Sequence, residues 1–203
     1  MDIAAPFTAL PKRRRRSYAL LRKEKRMEDY AEVRCLFCLT GHEAAVVRAV
    51  EDKGIGRAIY PRKHKRLRRG TQWEDLYAPL LPGYVFVYSP ALDPAAQAAL
   101  GGLQSVIRLL RYENRGGSAV LAGPDRQFAD WLWRHGGLIG VLQAVRLGDR
   151  VEIVDGLFKA FHGRVVQMDR RKQTARIELD ILGGTKYLWL SYDCLKAPAQ
   201  GAE

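Results

Sequence analysis

Cys35 and Cys38, spaced as C-x-x-C, are the residues best typed for redox or metal chemistry. Their setting argues against both. The run Val33 to Leu39 reads as a strand, on which residues three apart point to opposite faces, so the two sulfurs diverge. No second C-x-x-C and no histidine pair completes a tetrahedral ligand set. The four histidines, His42, His64, His135 and His162, fall in separate segments, and none is arranged with Ser, Cys or a carboxylate as nucleophile and base. Neither a P-loop nor a Rossmann glycine pattern occurs. The chain therefore reads as a non-enzyme with no metal and no cofactor.

What remains is charge. Thirty-four Lys and Arg stand against 22 Asp and Glu, a formal net charge of +12, which favours a polyanionic partner. The excess is clustered. A basic leader covers residues 1–30, with Lys12 to Arg16 at its centre, and reads either as a phosphate-binding arm or as a disordered tail upstream of a start at Met27. A second run comprises Arg57, Arg62, Lys63, Lys65, Arg66, Arg68 and Arg69, with no acidic residue before Glu74. Such like charges repel unless a polyanion lies close, so upstream DNA or RNA is expected there. A third group is Lys159, Arg164, Arg170, Arg171 and Lys172. An anionic membrane surface would also satisfy the charge, but no run of about 18 apolar residues is present, so nothing spans a bilayer, and nucleic acid rather than a membrane is the partner expected. Three cysteines, an odd number, fit a reducing cytoplasm better than a disulfide framework. A cytoplasmic monomer is the expectation.

The elements that must position these residues divide the chain in two. After the strand Val33 to Leu39, Ala45, Val46, Ala49 and Val50 recur at helical spacing, stopped by Gly54-Ile55-Gly56. Ala58 to Tyr60 forms a short strand closed by Pro61. The basic run then reads as a hairpin or loop tipped by Trp73 and Tyr77. Tyr84 to Val87 is a β-branched and aromatic strand behind Pro82-Gly83. Asp93-Pro94 opens an alanine-rich helix, Val106 to Leu110 is another strand, and Gly123-Pro124-Asp125 opens a last helix. The order predicts helices over an antiparallel sheet, an α+β unit over 31–134. Residues 135–146 read as a linker. In 147–197, Val151 and Ile153, then Val165 to Met168, then Ile177, Leu179 and Ile181 alternate as short strands around Asp155-Gly156 and His162-Gly163, with Leu188, Leu190 and Leu195 completing the core. Closely spaced short strands predict a closed or nearly closed barrel. Residues 198–203 are a tail.

The register of Gly148, Asp149, Val151, Asp155, Gly156, Phe158, Phe161, Gly163 and Val165 resembles the KOW motif. With Thr40-Gly41-His42-Glu43 and Pro79-Leu80-Leu81-Pro82-Gly83-Tyr84-Val85-Phe86-Val87, the chain resembles the NusG family of transcription factors, whose NGN domain is followed by an SH3-like KOW barrel. The chain departs from that pattern in starting its first strand with Val33-Arg34 rather than Trp-Tyr. The basic run, Arg108 to Glu113 and Leu121 to Asp125 resemble the specialised LoaP paralogues. The resemblance implies an elongation and antitermination factor. It implies that Tyr60, Pro61, Leu80, Leu81, Pro82 and Tyr84 form an exposed apolar depression seating the clamp helices of RNA polymerase. It also implies that a flexibly tethered KOW domain binds an RNA hairpin, a ribosomal protein or a termination factor. A ribosome-associated RNA-binding protein using the barrel alone is the rival reading.

Overall fold

The computed structural model describes residues 30–147, 150–153 and 164–195. Its central sheet is antiparallel, in the order β2-β5-β1-β6, built from β1 (Glu32–Cys38), β2 (Arg57–Ile59), β5 (Tyr84–Ser89) and β6 (Val106–Leu109). β5 is buried along nearly its whole length because helices cover both faces. On one face Leu36, Cys38, Val85 and Val87 pack with Val46 and Val50 of α1 (Glu43–Asp52) and Leu100 of α2 (Pro94–Gly101). On the other, Val33, Cys35, Phe86 and Tyr88 meet Phe128, Ala129 and Leu132 of α3 (Gly123–Arg134). The start of α2 is local chemistry: Asp93 caps it by accepting from Ala96 N–H at 2.7 Å, and Pro94 fills the first turn, where no N–H is needed.

The basic run is a hairpin. β3 (Arg62–Arg69) pairs antiparallel with β4 (Gln72–Pro79), and Gly70 takes a positive φ of 61° in the turn. The stretch 135–146, expected as a linker, is instead built into two sheets. β7 (Leu138–Ile139) pairs in parallel with Arg62 and Lys63 of β3, and β8 (Leu142–Leu147) pairs in parallel with Tyr192 to Leu195. The reason lies in the apolar side chains Ile139, Leu142 and Ala144, all buried, which a solvated linker would leave in water.

In the C-terminal part, β8, β9 (Arg150–Ile153), β10 (Arg164–Asp169), β11 (Thr174–Ile181) and β12 (Gly184–Leu195) form a five-stranded sheet in the order β10-β11-β12-β8-β9. Among the described residues no ladder joins β9 to β10, so these five strands form an open sheet and the expected closed or nearly closed barrel is not shown. The segment that would close it, residues 154–163, lies outside the described residues, and with it most of the KOW signature and Lys159. The predicted alternation of β11 holds: Ala175, Ile177, Leu179 and Ile181 are buried. That of β10 does not, because the register shifts between Val165 and Gln167 and both Val165 and Val166 stay exposed.

In the structure the two units are packed on one another. The inner face of the C-terminal sheet, including Ile177, Leu179, Leu188, Leu190 and Tyr192, joins Phe128, Leu132 and Phe86 in one continuous core. Helix α3 is thus shared by both sheets.

Candidate nucleic-acid interface and partner surface

Cys35 lies in the core layer under α3 and Cys38 in the layer under α1, both fully buried, so the C-x-x-C pair diverges as its strand setting requires. Burial pushes both thiols up, Cys38 to about 11, with Asp125 adding to the shift at Cys35 and Glu43 at Cys38. Among the described residues no cluster of three His, Cys, Asp or Glu could hold a metal ion. The described histidines are structural neighbours of other side chains. His42 Nδ1 lies 2.9 Å from Ser105 Oγ, His64 meets the Tyr77 ring edge-on, and His135 stacks on Trp131 at 4.1 Å.

These buried acids set an alkaline limit. Burial also raises the phenols of Tyr88 and Tyr112, and at Tyr112 the bond to Asp125 adds to it. An acid held neutral in the fold contributes stability that is complete below its unfolded pKa and lost as pH rises towards its folded one. The ordinary values are 9.0 for the thiols and 10.0 for the phenols. Lys63, pushed down by burial and then by Lys65, works in the opposite sense, but it is one group against four. Urea midpoints are therefore expected to hold up to about pH 9 and to fall between about pH 9 and 11. A midpoint flat across that interval would mean that these groups are hydrated in the folded state.

The two sequence motifs Thr40–Glu43 and Pro79–Val87 are physically one feature. Glu43, 2 % exposed at the start of α1, accepts the Gly83 N–H at 2.7 Å, and Gly83 O accepts from Cys38 N–H at 2.7 Å. Gly83 has φ +83°, and a Cβ there would stand 2.7 Å from Cys38 O. Only glycine lets β5 enter beside β1 at this point.

That entry shapes the apolar surface, and corrects its expected exposure. Leu80 (4 %) and Leu81 (3 %) are core residues, and Pro61 is buried. Only Pro82 is exposed, with Tyr60 and Tyr84 half-buried. The family resemblance implies a surface position for the doublet, whereas both leucines turn inward onto the core that holds Phe86 and Leu188. Tyr84 meets the Phe37 ring at a tilt, 5.1 Å between centres, and Lys186 of β12 covers it, its Nζ 3.2 Å from the Tyr84 hydroxyl and 5.3 Å from the ring centre. Arg34, the departure at β1, does not reach this surface. It is buried 1 % exposed on the opposite face, ion-paired to Glu32 and donating to Ser89 Oγ at 3.1 Å.

The basic residues divide by setting. On β3, Arg62 lies 5.5 Å over the Tyr60 ring, Lys63 donates to Trp189 O at 2.8 Å, Lys65 is exposed, and Arg69 pairs with Glu74 at 3.3 Å. Arg66 and Arg68 occupy the same strand between them. In the C-terminal sheet Arg164 pairs with Glu178 at 2.7 Å, while Arg170, Arg171 and Lys172 are exposed in the turn before β11, Lys172 Nζ lying 3.8 Å from Asp169. Arg57, also in the basic run, lies over the Trp133 ring instead, 5.0 Å from its centre.

Sequence reasoning missed a latch between the two parts. Asp125, 7 % exposed in the first turn of α3, accepts from the Leu182 N–H at 2.7 Å and from the Tyr112 hydroxyl. Leu182 has φ +54° in the two-residue Leu182-Gly183 turn between β11 and β12, a conformation unfavourable for leucine that this tight turn requires. Pro124-Asp125 in sequence signals only a helix start, so its use across the molecule was not visible.

No family model matches the chain, and no curated protein matches it. Solved structures are similar to this chain. NusG from Thermotoga maritima, in a structure described as "Domain interaction in Thermotoga maritima NusG", is 22 % identical, over 79 % of this chain and 93 % of that one, with a TM-score of 0.51. That likeness establishes a NusG-type fold. Two conformations of the MjSpt4:Spt5 complex match over 79 % of this chain and 99 % of theirs, at 15 % and 18 % identity with TM-scores of 0.27 and 0.28. Among the described residues, no helix is long and apolar enough to cross a membrane.

Proposed function

We propose that this chain is a non-enzymatic, cytoplasmic transcription elongation factor of the NusG type, acting as a processive antiterminator in the manner of the LoaP paralogues. The surface around Tyr84, with Tyr60 and Pro82 beside it and the buried Pro61, Leu80 and Leu81 supporting it from beneath, seats the clamp helices of RNA polymerase. By preferring one state of the polymerase, the factor shifts its conformational equilibrium. Hairpin residues Arg62 to Arg69 meet upstream DNA or RNA. The C-terminal sheet, with Arg164, Arg170, Arg171 and Lys172, and Lys159 outside the described residues, engages an RNA hairpin, a ribosomal protein or a termination factor.

One observation carries the polymerase reading. Tyr84, an aromatic at the rim of the first unit, is covered by a single cation from the second, Lys186, and not by core packing alone. Such a cover can be displaced when a helix offers apolar surface in its place. Tyr84→Ala in the full chain is expected to weaken capture of core RNA polymerase about tenfold or more, as truncation of an interface anchor does. The melting temperature should change little, since the ring is only half-buried. A variant that folds and captures polymerase as well as the unaltered chain would refute the assignment. Polymerase-independent sedimentation with ribosomal subunits would favour a ribosome-associated RNA-binding role.

A further inference from the structure

β11 and β12 bury one face and leave the other without a covering layer. Buried side chains Ile177, Leu179, Leu188 and Leu190 alternate with Arg176, Glu178, Tyr187 and Trp189 on the outer face. Tyr187 is 51 % exposed and Trp189 39 %, two large aromatics side by side on a strand, which a sheet does not need for its own stability. The Arg176 guanidinium lies 4.3 Å over the Tyr187 ring, and Arg176 stands opposite Trp189 in the ladder.

Positive charge flanks these rings on both sides, and it comes from both halves of the chain. Along one side runs β3, tied to β12 by the Lys63–Trp189 bond, with exposed Lys65 two residues further along the strand. Beyond the Thr174–Ser191 pair lies the exposed turn Arg170-Arg171-Lys172. Of the acidic groups nearby, Glu178 is engaged by Arg164 at 2.7 Å, Asp180 by the Thr185 hydroxyl at 2.6 Å and Asp169 by Lys172, while Asp193 is exposed four residues beyond Trp189 on β12.

We propose that Trp189 and Tyr187 are the stacking platform of a single-stranded nucleic-acid track crossing the junction between the basic hairpin and the C-terminal sheet. Arg176, Lys65 and the 170–172 turn meet its phosphates. The proposal deepens the reading that this chain engages nucleic acid, and rests on it. A single strand is the occupant because it offers free base faces to the rings, whereas a duplex stem keeps its bases stacked inside and is met through its phosphates. An acidic peptide would satisfy the charges and leave the rings without a matched partner.

The test uses the full chain and a labelled oligouridine of roughly 12 nucleotides, within the usual span of such sites, beside its deoxy counterpart, a duplex of equal length and a glutamate-rich peptide. Trp189→Ala and Tyr187→Ala are each expected to weaken single-strand binding about tenfold, the loss of one stacked base, while Trp189→Phe restores most of it. The salt dependence should stay unchanged, because no phosphate contact is removed. Duplex binding should not respond. The ribose and deoxyribose arms show which strand is preferred. If Trp189→Ala is silent while alanines at Arg170, Arg171 and Lys172 abolish binding, the platform is overturned and nucleic-acid engagement stands. Equal weakening on duplex, or preference for the peptide, also overturns the platform. If the unaltered chain binds none of the nucleic acids, both readings fail.

Discussion

Leu81→Asp is expected to unfold the protein, not merely to weaken one interaction. Leu81 is 3 % exposed and belongs to the core shared by α3, the central sheet and the C-terminal sheet. Removing its side chain from that core forfeits about 1.5–3 kcal/mol of apolar burial. Placing a carboxylate in that core adds a desolvation penalty of several kcal/mol more. Together these approach the roughly 5–15 kcal/mol that holds a domain folded. Circular dichroism should show loss of cooperative melting at room temperature, and the variant should partition into aggregates. A cooperative transition at the unaltered midpoint would place Leu81 at the surface and widen the proposed polymerase contact to include it. The contrast with Tyr84→Ala is the useful part: neighbours in sequence, one reports on folding and the other on binding.

That contrast also marks how far the sequence could be read. The order of strands and helices in the first unit follows from local signals. Asp93-Pro94 is a cap with its proline, Gly70 is a turn, and the alternation of Ile177, Leu179 and Ile181 is a half-buried strand, and each such signal acts over a few residues. The divergence of Cys35 and Cys38 was legible for the same reason, since strand geometry alone dictates it. What failed depends on long-range partners. Leu80 and Leu81 are apolar whether they face a partner protein or the core, and only the docking of the C-terminal sheet decides between them. Residues 135–146 look like a linker because β7 and β8 are short and find their pairing partners elsewhere, in β3 and β12. The link between Glu43 and Gly83 spans forty residues, and Lys63 reaches Trp189 across 126. Charge clusters were found readily, but Tyr187 and Trp189 were not, because an exposed aromatic and a core aromatic have the same letter.

Asp125→Ala is expected to part the two units and raise the affinity for RNA polymerase. The segments Arg108 to Glu113 and Leu121 to Asp125 meet at that carboxylate: Tyr112 donates to it from one segment and the Leu182 N–H from the opposing turn. Beside it lies a cavity of about 470 Å³ lined by Leu110, Arg111, Tyr112, Leu121 and Leu182, so close packing does little to back the bond up. Alanine leaves a part-buried N–H and hydroxyl without this acceptor. A hydrogen bond to a charged group contributes about 1.5–3 kcal/mol, so the equilibrium between packed and parted units should move by roughly ten- to a hundredfold. Lys186 then leaves Tyr84. Because apparent affinity scales with the fraction of molecules in the competent state, polymerase binding should tighten by up to the same factor, provided that the packed state dominates at the start. Small-angle scattering should show a larger radius of gyration, with each unit still melting cooperatively. Lys186→Ala, which uncovers Tyr84 without touching the latch, should tighten binding less and leave the radius unchanged. Parting without any gain in polymerase affinity would show that Tyr84 is not the contact. An unchanged radius would show that the apolar core, with Phe128, Ile177 and Leu188 at its centre, holds the units together without Asp125.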